Sequence, residues 1–193
     1  MAKLETQDME SSLAGIVRLS HHRWLVPLVA AIGQGNGGRF AELRAQLEIS
    51  GPSLRRVIAA ACEADLVMRN PGYGHPLRPE YLLTPWGEGI AQECIAVVEV
   101  ARAKDWAELM AHKWSLPVLS AIGLGKKHYS DIIRPLPGCS PRSLSIALVE
   151  LVEAGCVTRI LVDGRPPRPA YGVSRRGRKF VQSAVRLSNV MGK

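Results

Sequence analysis

Arginine, lysine and serine side chains gathered at a few places are the residues of this 193-residue chain best suited to chemistry, and that chemistry is anion recognition. Arg142 stands with Ser143 and Ser145, Lys126 with Lys127, Arg165 with Arg168 beside prolines, and Arg175 with Arg176 ahead of Arg178 and Lys179. Guanidinium forks pair with phosphate oxygens and with the edge of guanine, while serine hydroxyls contact bases or phosphates. The chain carries 25 Lys and Arg against 17 Asp and Glu, a formal +8 with an isoelectric point near 9.7. This balance favours polyanionic partners, nucleic acid first and an anionic membrane surface second.

Other chemistries lack their residues. The stretch Gly33-Gln34-Gly35-Asn36-Gly37-Gly38 has no Lys-Ser or Lys-Thr after it and follows no strand, so it is not a phosphate-binding loop. No Gly-x-Ser-x-Gly, His-Glu-x-x-His or supported carboxylate pair occurs, which sets an enzyme aside. Cys62, Cys94, Cys139 and Cys156 lie far apart without a Cys-x-x-Cys, so neither a zinc site nor a disulfide framework is indicated, and no cofactor is expected. Cys139 alone precedes a helix start, where the helix dipole lowers a thiol pKa. It is a candidate redox switch; the plainer reading is a small residue filling a turn. Cys62 and Cys156 read as core. His22 and His112 have no partners at metal-ligand spacing and read as helix-start residues. No apolar run approaches the length of a membrane span, and the polar, acidic start Met1 to Asp8 is unlike a signal peptide. A cytoplasmic location follows as the expectation.

The elements that must position these residues occur twice. His22-Arg23-Trp24-Leu25-Val26-Pro27 recurs as His112-Lys113-Trp114-Ser115-Leu116-Pro117, Ala31-Ile32-Gly33 as Ala121-Ile122-Gly123, and Pro76-Leu77-Arg78-Pro79-Glu80-Tyr81 as Pro166-Pro167-Arg168-Pro169-Ala170-Tyr171. Residues 22–91 and 112–181 align at a nearly constant offset, with about 30% of positions identical. Each copy predicts a short apolar helix (Trp24 to Ile32, Trp114 to Ile122) with its tryptophan as a core anchor, then a second helix (Phe40 to Leu47, Tyr129 to Leu136). Ser50 and Ser140 are N-caps for a third helix, whose inward stripes are Leu54, Ile58 and Ala61 in one copy and Leu144, Leu148 and Leu151 in the other. Ala154-Gly155 ends that helix, Cys156 to Val162 reads as a strand, Asp163-Gly164 as a turn, and Tyr171-Gly172-Val173 as the returning strand. Three helices and a β-hairpin form the winged helix-turn-helix order. The expected fold is α+β and mostly helical, with two tandem winged helix-turn-helix domains (22–91 and 112–181) related by a pseudo-two-fold. An N-terminal segment (1–21) precedes them and a helix end (182–193) follows. A single long helix over 92–111 joins them, continuing from Pro85 through Ile90, Ile95, Val98 and Ala101 towards Trp106 and Met110.

Ser140-Pro141-Arg142-Ser143-Leu144-Ser145 with Leu151-Val152-Glu153-Ala154-Gly155-Cys156-Val157 resembles the HxlR-type winged helix-turn-helix regulators, relatives of the MarR superfamily. So do Lys113-Trp114 at the first helix and the return from Pro166 to Tyr171 into Ser174-Arg175-Arg176-Gly177. The resemblance covers about 70 residues of the second copy and, more weakly, the same length of the first. It implies a transcriptional regulator that binds double-stranded operator DNA and dimerises through terminal helices. Two copies in one chain then imply a single-chain pseudo-dimer on an imperfect palindrome, as a monomer or a homodimer. The sequence departs from the family in carrying two copies, in having Gly51-Pro52 where the second copy has Pro141-Arg142, and in placing Ile146 at a position often basic.

In a winged helix the third helix enters the major groove, which assigns base contacts to Arg142, Ser143 and Ser145, and to Ser53, Arg55 and Arg56 in the first copy. Arg165 and Arg168 at the wing suit a minor groove or flanking phosphates, with His75 and Arg78 as weaker counterparts. Lys126, Lys127, Arg175 and Arg176 suit phosphates. The second copy has 12 basic to 4 acidic residues, the first 7 to 6, so the cationic excess sits in the second. The runner-up function is a small aromatic effector-binding or protein-binding module that keeps the fold. Tyr73, His75, Trp86, Trp106 and Met110 would then line an apolar pocket, against the plainer reading of ordinary packing. Membrane binding is not expected, because Glu93, Glu99, Asp105 and Glu108 outnumber Arg102 and Lys104 on the linker.

Overall fold

The computed structural model describes residues 2–35, 38–70, 79–164 and 167–192, with residues 2–7 by backbone alone. The fold is α+β and mostly helical, and the chain divides into two compact units. One comprises residues 22–98; the other joins residues 1–21 to residues 99–193. The chain opens with α1 (Ala2–Leu19), which belongs to the second of these.

The 22–98 unit begins with α2 (Leu25–Gly35), buried on all sides from Leu25 to Ile32, as a helix apolar around its whole circumference must be. Pro27 lies in its first turn, where no backbone N–H is needed. Then come β1 (Gly38–Arg39), α3 (Phe40–Leu47) and α4 (Gly51–Glu63). Ser50 caps α4 by accepting the Ser53 N–H at 3.3 Å, and Leu54, Val57, Ile58 and Ala61 form its buried stripe. Strands β2 (Val67–Arg69) and β3 (Glu80–Leu83) close an antiparallel sheet of order β1-β3-β2, with Arg39 opposite Glu80 and Val67 opposite Leu83. Helix α5 (Pro85–Ala103) leaves this unit.

The other unit also follows helices with a hairpin and a closing helix. It contains α6 (Ala107–Ala111), α7 (Ser115–Gly123), α8 (Tyr129–Ile133), α9 (Pro141–Glu153), β4 (Val157–Val162), β5 (Arg168–Val173) and α10 (Arg178–Met191). Helix α7 is buried from Ser115 to Ile122, and Ser140 caps α9 by accepting the Ser143 N–H at 3.1 Å. The hairpin runs in register from Val157 opposite Val173 to Val162 opposite Arg168. His128 bridges Ala170 on the far edge of β5, as Arg39 faces Glu80 in the first sheet. Helix α1 packs on α10 and α7 so closely that a Cβ on Gly15 would lie 2.5 Å from the Met191 carbonyl oxygen.

One clasp occurs in both units. The Thr84 hydroxyl donates to the Asp65 carbonyl and accepts the Gly87 N–H at 3.0 Å. The Ser174 hydroxyl donates to the Gly155 carbonyl at 2.6 Å and accepts the Gly177 N–H at 2.8 Å. Both glycines let the last helix of a unit touch the chain leaving its third helix. A Cβ on Gly87 or Gly177 would sit 2.0 Å from the carbonyl oxygen of Leu66 or Cys156.

The structure corrects several expectations. The linker over 92–111 is not one helix: α5 stops at Ala103 and α6 starts at Ala107. Asp105 takes φ 59°, its N–H bonds the Arg102 carbonyl at 3.2 Å, and the Trp106 N–H bonds Ala101 at 2.7 Å. This left-handed closure turns Trp106 into the core. Helix α8 ends at Ile133 rather than Leu136, because Pro135 has no N–H to extend it. Trp24 and Trp114 are half-buried rather than core, each covered by a cation, with Arg23 5.1 Å and Lys113 5.0 Å from the ring centroid. Cys62 is exposed on the outer side of α4, whereas Cys156 is buried, its thiol pushed up to about 12 by desolvation.

Candidate nucleic-acid interface

The outward side of α9 is defined by what faces in. With Leu144, Ala147, Leu148 and Leu151 buried, Arg142, Ser145, Ile146 and Val149 are exposed along one stripe. The two serines assigned to base contact are already engaged. Ser143 Oγ lies 2.8 Å from Ser140 Oγ, and Ser145 Oγ donates to the Pro141 carbonyl at 2.9 Å. Tyr129, at the start of α8, donates its hydroxyl to the same carbonyl at 2.6 Å and lies 3.4 Å from Ser145 Oγ. Sequence reasoning did not single out Tyr129; the only hint was an aromatic at that position in both copies.

The chain just before Tyr129 stitches α9 to the hairpin. The Lys127 carbonyl accepts the Tyr171 N–H at 2.8 Å, and His128 Nδ1 lies 3.3 Å from the Pro169 carbonyl. Three segments carrying cations are thereby tied together: Lys126-Lys127 before α8, Arg142 on α9 and Arg168 opening β5. Lys127, Arg142 and Arg168 are exposed and Lys126 is half-buried. Arg159 on β4, directly opposite Tyr171, adds an exposed cation that was also missed. Arg165 lies outside the described residues.

Arg175 is exposed, but Arg176 has an internal partner: its guanidinium lies 5.2 Å over the Trp106 ring. The other face of that story is Phe180, stacked on Trp106 at 5.4 Å. Trp106 is 3% exposed and packs within its own unit. Met110 is half-buried on α6 in the same unit; Trp86 is half-buried on α5 in the other. Tyr73, His75 and Arg78 lie outside the described residues.

In the 22–98 unit, Arg55 and Arg56 are exposed on α4, Arg55 lying 5.8 Å over Phe40, and Ser53 Oγ accepts from Ser50 Oγ at 2.9 Å. The Cys139 thiol is half-buried and burial pushes its pKa up, with Lys113 offsetting this only in part. That is the reverse of the lowering expected from the helix dipole. Among the described residues no cluster suited to a metal ion occurs, and no helix is long and apolar enough to cross a membrane.

The chain is similar in sequence to known proteins. Residues 109–192 match the family described as HxlR-like helix-turn-helix. A protein of Synechocystis named as a helix-turn-helix-type transcriptional regulator is 29% identical over 90 residues, covering 47% of this chain and 67% of the relative. YtcD of Bacillus subtilis, named likewise, is 32% identical over 73 residues, 38% of this chain and 58% of its own. A third such regulator, from Methanothermobacter thermautotrophicus, is 32% identical over 69 residues, 36% of this chain and 53% of its own. The chain thus spans roughly half to two thirds of the length of these relatives. No solved structure matches it. From the end of α6 through α10, the chain forms an HxlR-like helix-turn-helix domain.

Proposed function

We propose that the chain is a sequence-specific, DNA-binding transcriptional regulator that grips double-stranded DNA chiefly through its 99–193 part. The observation that carries this reading is the stitching of Lys127, Arg142 and Arg168 by Tyr129, Tyr171 and Pro141. Backbone and tyrosine hydrogen bonds tie together the loop, helix and wing-strand segments that bear these cations. Exposed cations displace counterions condensed on the duplex, which supplies affinity for any sequence. Arg142, on the stripe of α9, is the candidate for reading a guanine in the major groove.

The finer reading is a single-chain pseudo-dimer of two winged helix-turn-helix domains on an imperfect palindrome. Its support is the repeated clasp at Thr84 and Ser174 and the repeated serine cap at Ser50 and Ser140. The placement of α1 adds to this: the helix that leads into the 22–98 unit packs in the other one. The charge difference between the copies makes the two half-sites unequal in strength. Selection of bound sequences from randomised duplexes by the full chain tests the reading. The expected result is an enriched motif with two unequal inverted halves, occupied by one chain. No enrichment over the input pool at low salt contradicts it.

A further inference from the structure

Helix α9 exposes large apolar side chains where a charged surface is otherwise being built. Ile146 is 48% exposed and Val149 55% exposed, both on the stripe that begins at Arg142. With Ser143 and Ser145 held by Ser140 and by the Pro141 carbonyl, the unengaged groups of the stripe are one guanidinium and two branched hydrocarbons. Water offers those hydrocarbons nothing. In the major groove one base edge does: thymine carries a 5-methyl group, the only apolar feature among the four bases there. The other third helix differs. The sequence repeat sets Arg56 at the position of Ile146 and Arg55 at that of Ser145, and both arginines are exposed on α4.

We propose that Ile146 is a specificity-determining residue that reads the methyl group of a thymine in the half-site bound by α9. The opposing half-site, faced by Arg56, demands guanine instead. This deepens the DNA-binding reading above and rests on it. Ile146 follows Arg142 by one helical turn, about 6 Å along the axis, or roughly two base-pair steps. The thymine therefore falls about two base pairs from the guanine contacted by Arg142, on one side of the operator only.

The test replaces each thymidine of the selected duplex, one at a time, with deoxyuridine, which removes the methyl group alone. Binding is measured for the full chain and for its Ile146→Ala and Ile146→Val variants. A replacement in one half-site is expected to weaken the unmodified chain about three- to fivefold, the worth of a buried methyl group. Ile146→Ala should bind the thymidine duplex weaker by a similar factor and no longer respond to the replacement, while Ile146→Val keeps the response. Equal tolerance of deoxyuridine at every position, or full sensitivity retained in Ile146→Ala, overturns the assignment while leaving DNA binding intact. Failure to select any duplex overturns DNA binding and this assignment together.

Discussion

Arg142, Arg168 and Arg176 are three arginines of one unit with three different surroundings, and their substitution separates their roles. Arg142 is exposed on α9, so Arg142→Ala should cost about 1–3 kcal/mol on the preferred duplex and much less on random sequence. Arg168 is exposed at the start of β5, so Arg168→Ala should weaken every duplex alike and lower the slope of log K against log salt by about one. Competition binding on specific and random duplexes at several salt concentrations distinguishes the two; equal losses for both variants contradict the division. Arg176 covers Trp106, so Arg176→Ala should lower thermal stability by about 0.5–1 kcal/mol. The exposure of Arg142 was legible in the sequence, because the spacing of Leu144, Leu148 and Leu151 leaves it outside. The engagement of Ser145 and the stacking of Arg176 were not. Ser145 bonds back to the Pro141 carbonyl within its own helix, a choice of partner that apolar spacing does not reveal, and Arg176 depends on Trp106, delivered by a different element.

At the scale of elements, the clasp between the last helix and the end of the third helix sets how each hairpin leaves its unit. Ser174→Ala removes both hydrogen bonds of one clasp and should cost about 1–3 kcal/mol in urea unfolding. Gly177→Ala drives a methyl group into the Cys156 carbonyl and should cost at least as much, whereas Gly89→Ala, in open space, should not destabilise. Comparable stability of Gly177→Ala and Gly89→Ala would contradict the close approach. The order of helices and strands was readable from apolar spacing, the serine caps and Gly155. The break after α5 was not, since it needs Asp105 in a left-handed conformation, which apolar spacing does not signal, and it accompanies the burial of Trp106. Strand β1 also escaped notice: two residues beside a glycine run carry no periodicity, and their pairing to β3 is a long-range event.

At the scale of the whole molecule, the chain's first helix completes the unit that holds its last. The home of α1 was not legible in the sequence, because an amphipathic helix does not name the surface it covers. Gly15→Leu should therefore destabilise the 99–193 part, seen as a lowered melting transition, through collision with Met191. Duplex affinity supplied by a cationic surface has one signature above all, its dependence on salt. Titration of a fluorescent duplex with the full chain and with a Lys127→Gln, Arg142→Gln, Arg168→Gln triple variant, from low to moderate salt, reads it directly. The unmodified chain should hold duplex tightly at about 50 mM salt and lose affinity steeply as salt rises, and the triple variant should flatten that slope by about two, one for each of the phosphate-facing Lys127 and Arg168. Identical slopes for the two proteins, or no duplex retained at low salt, contradict the assignment of the DNA-gripping surface to these residues.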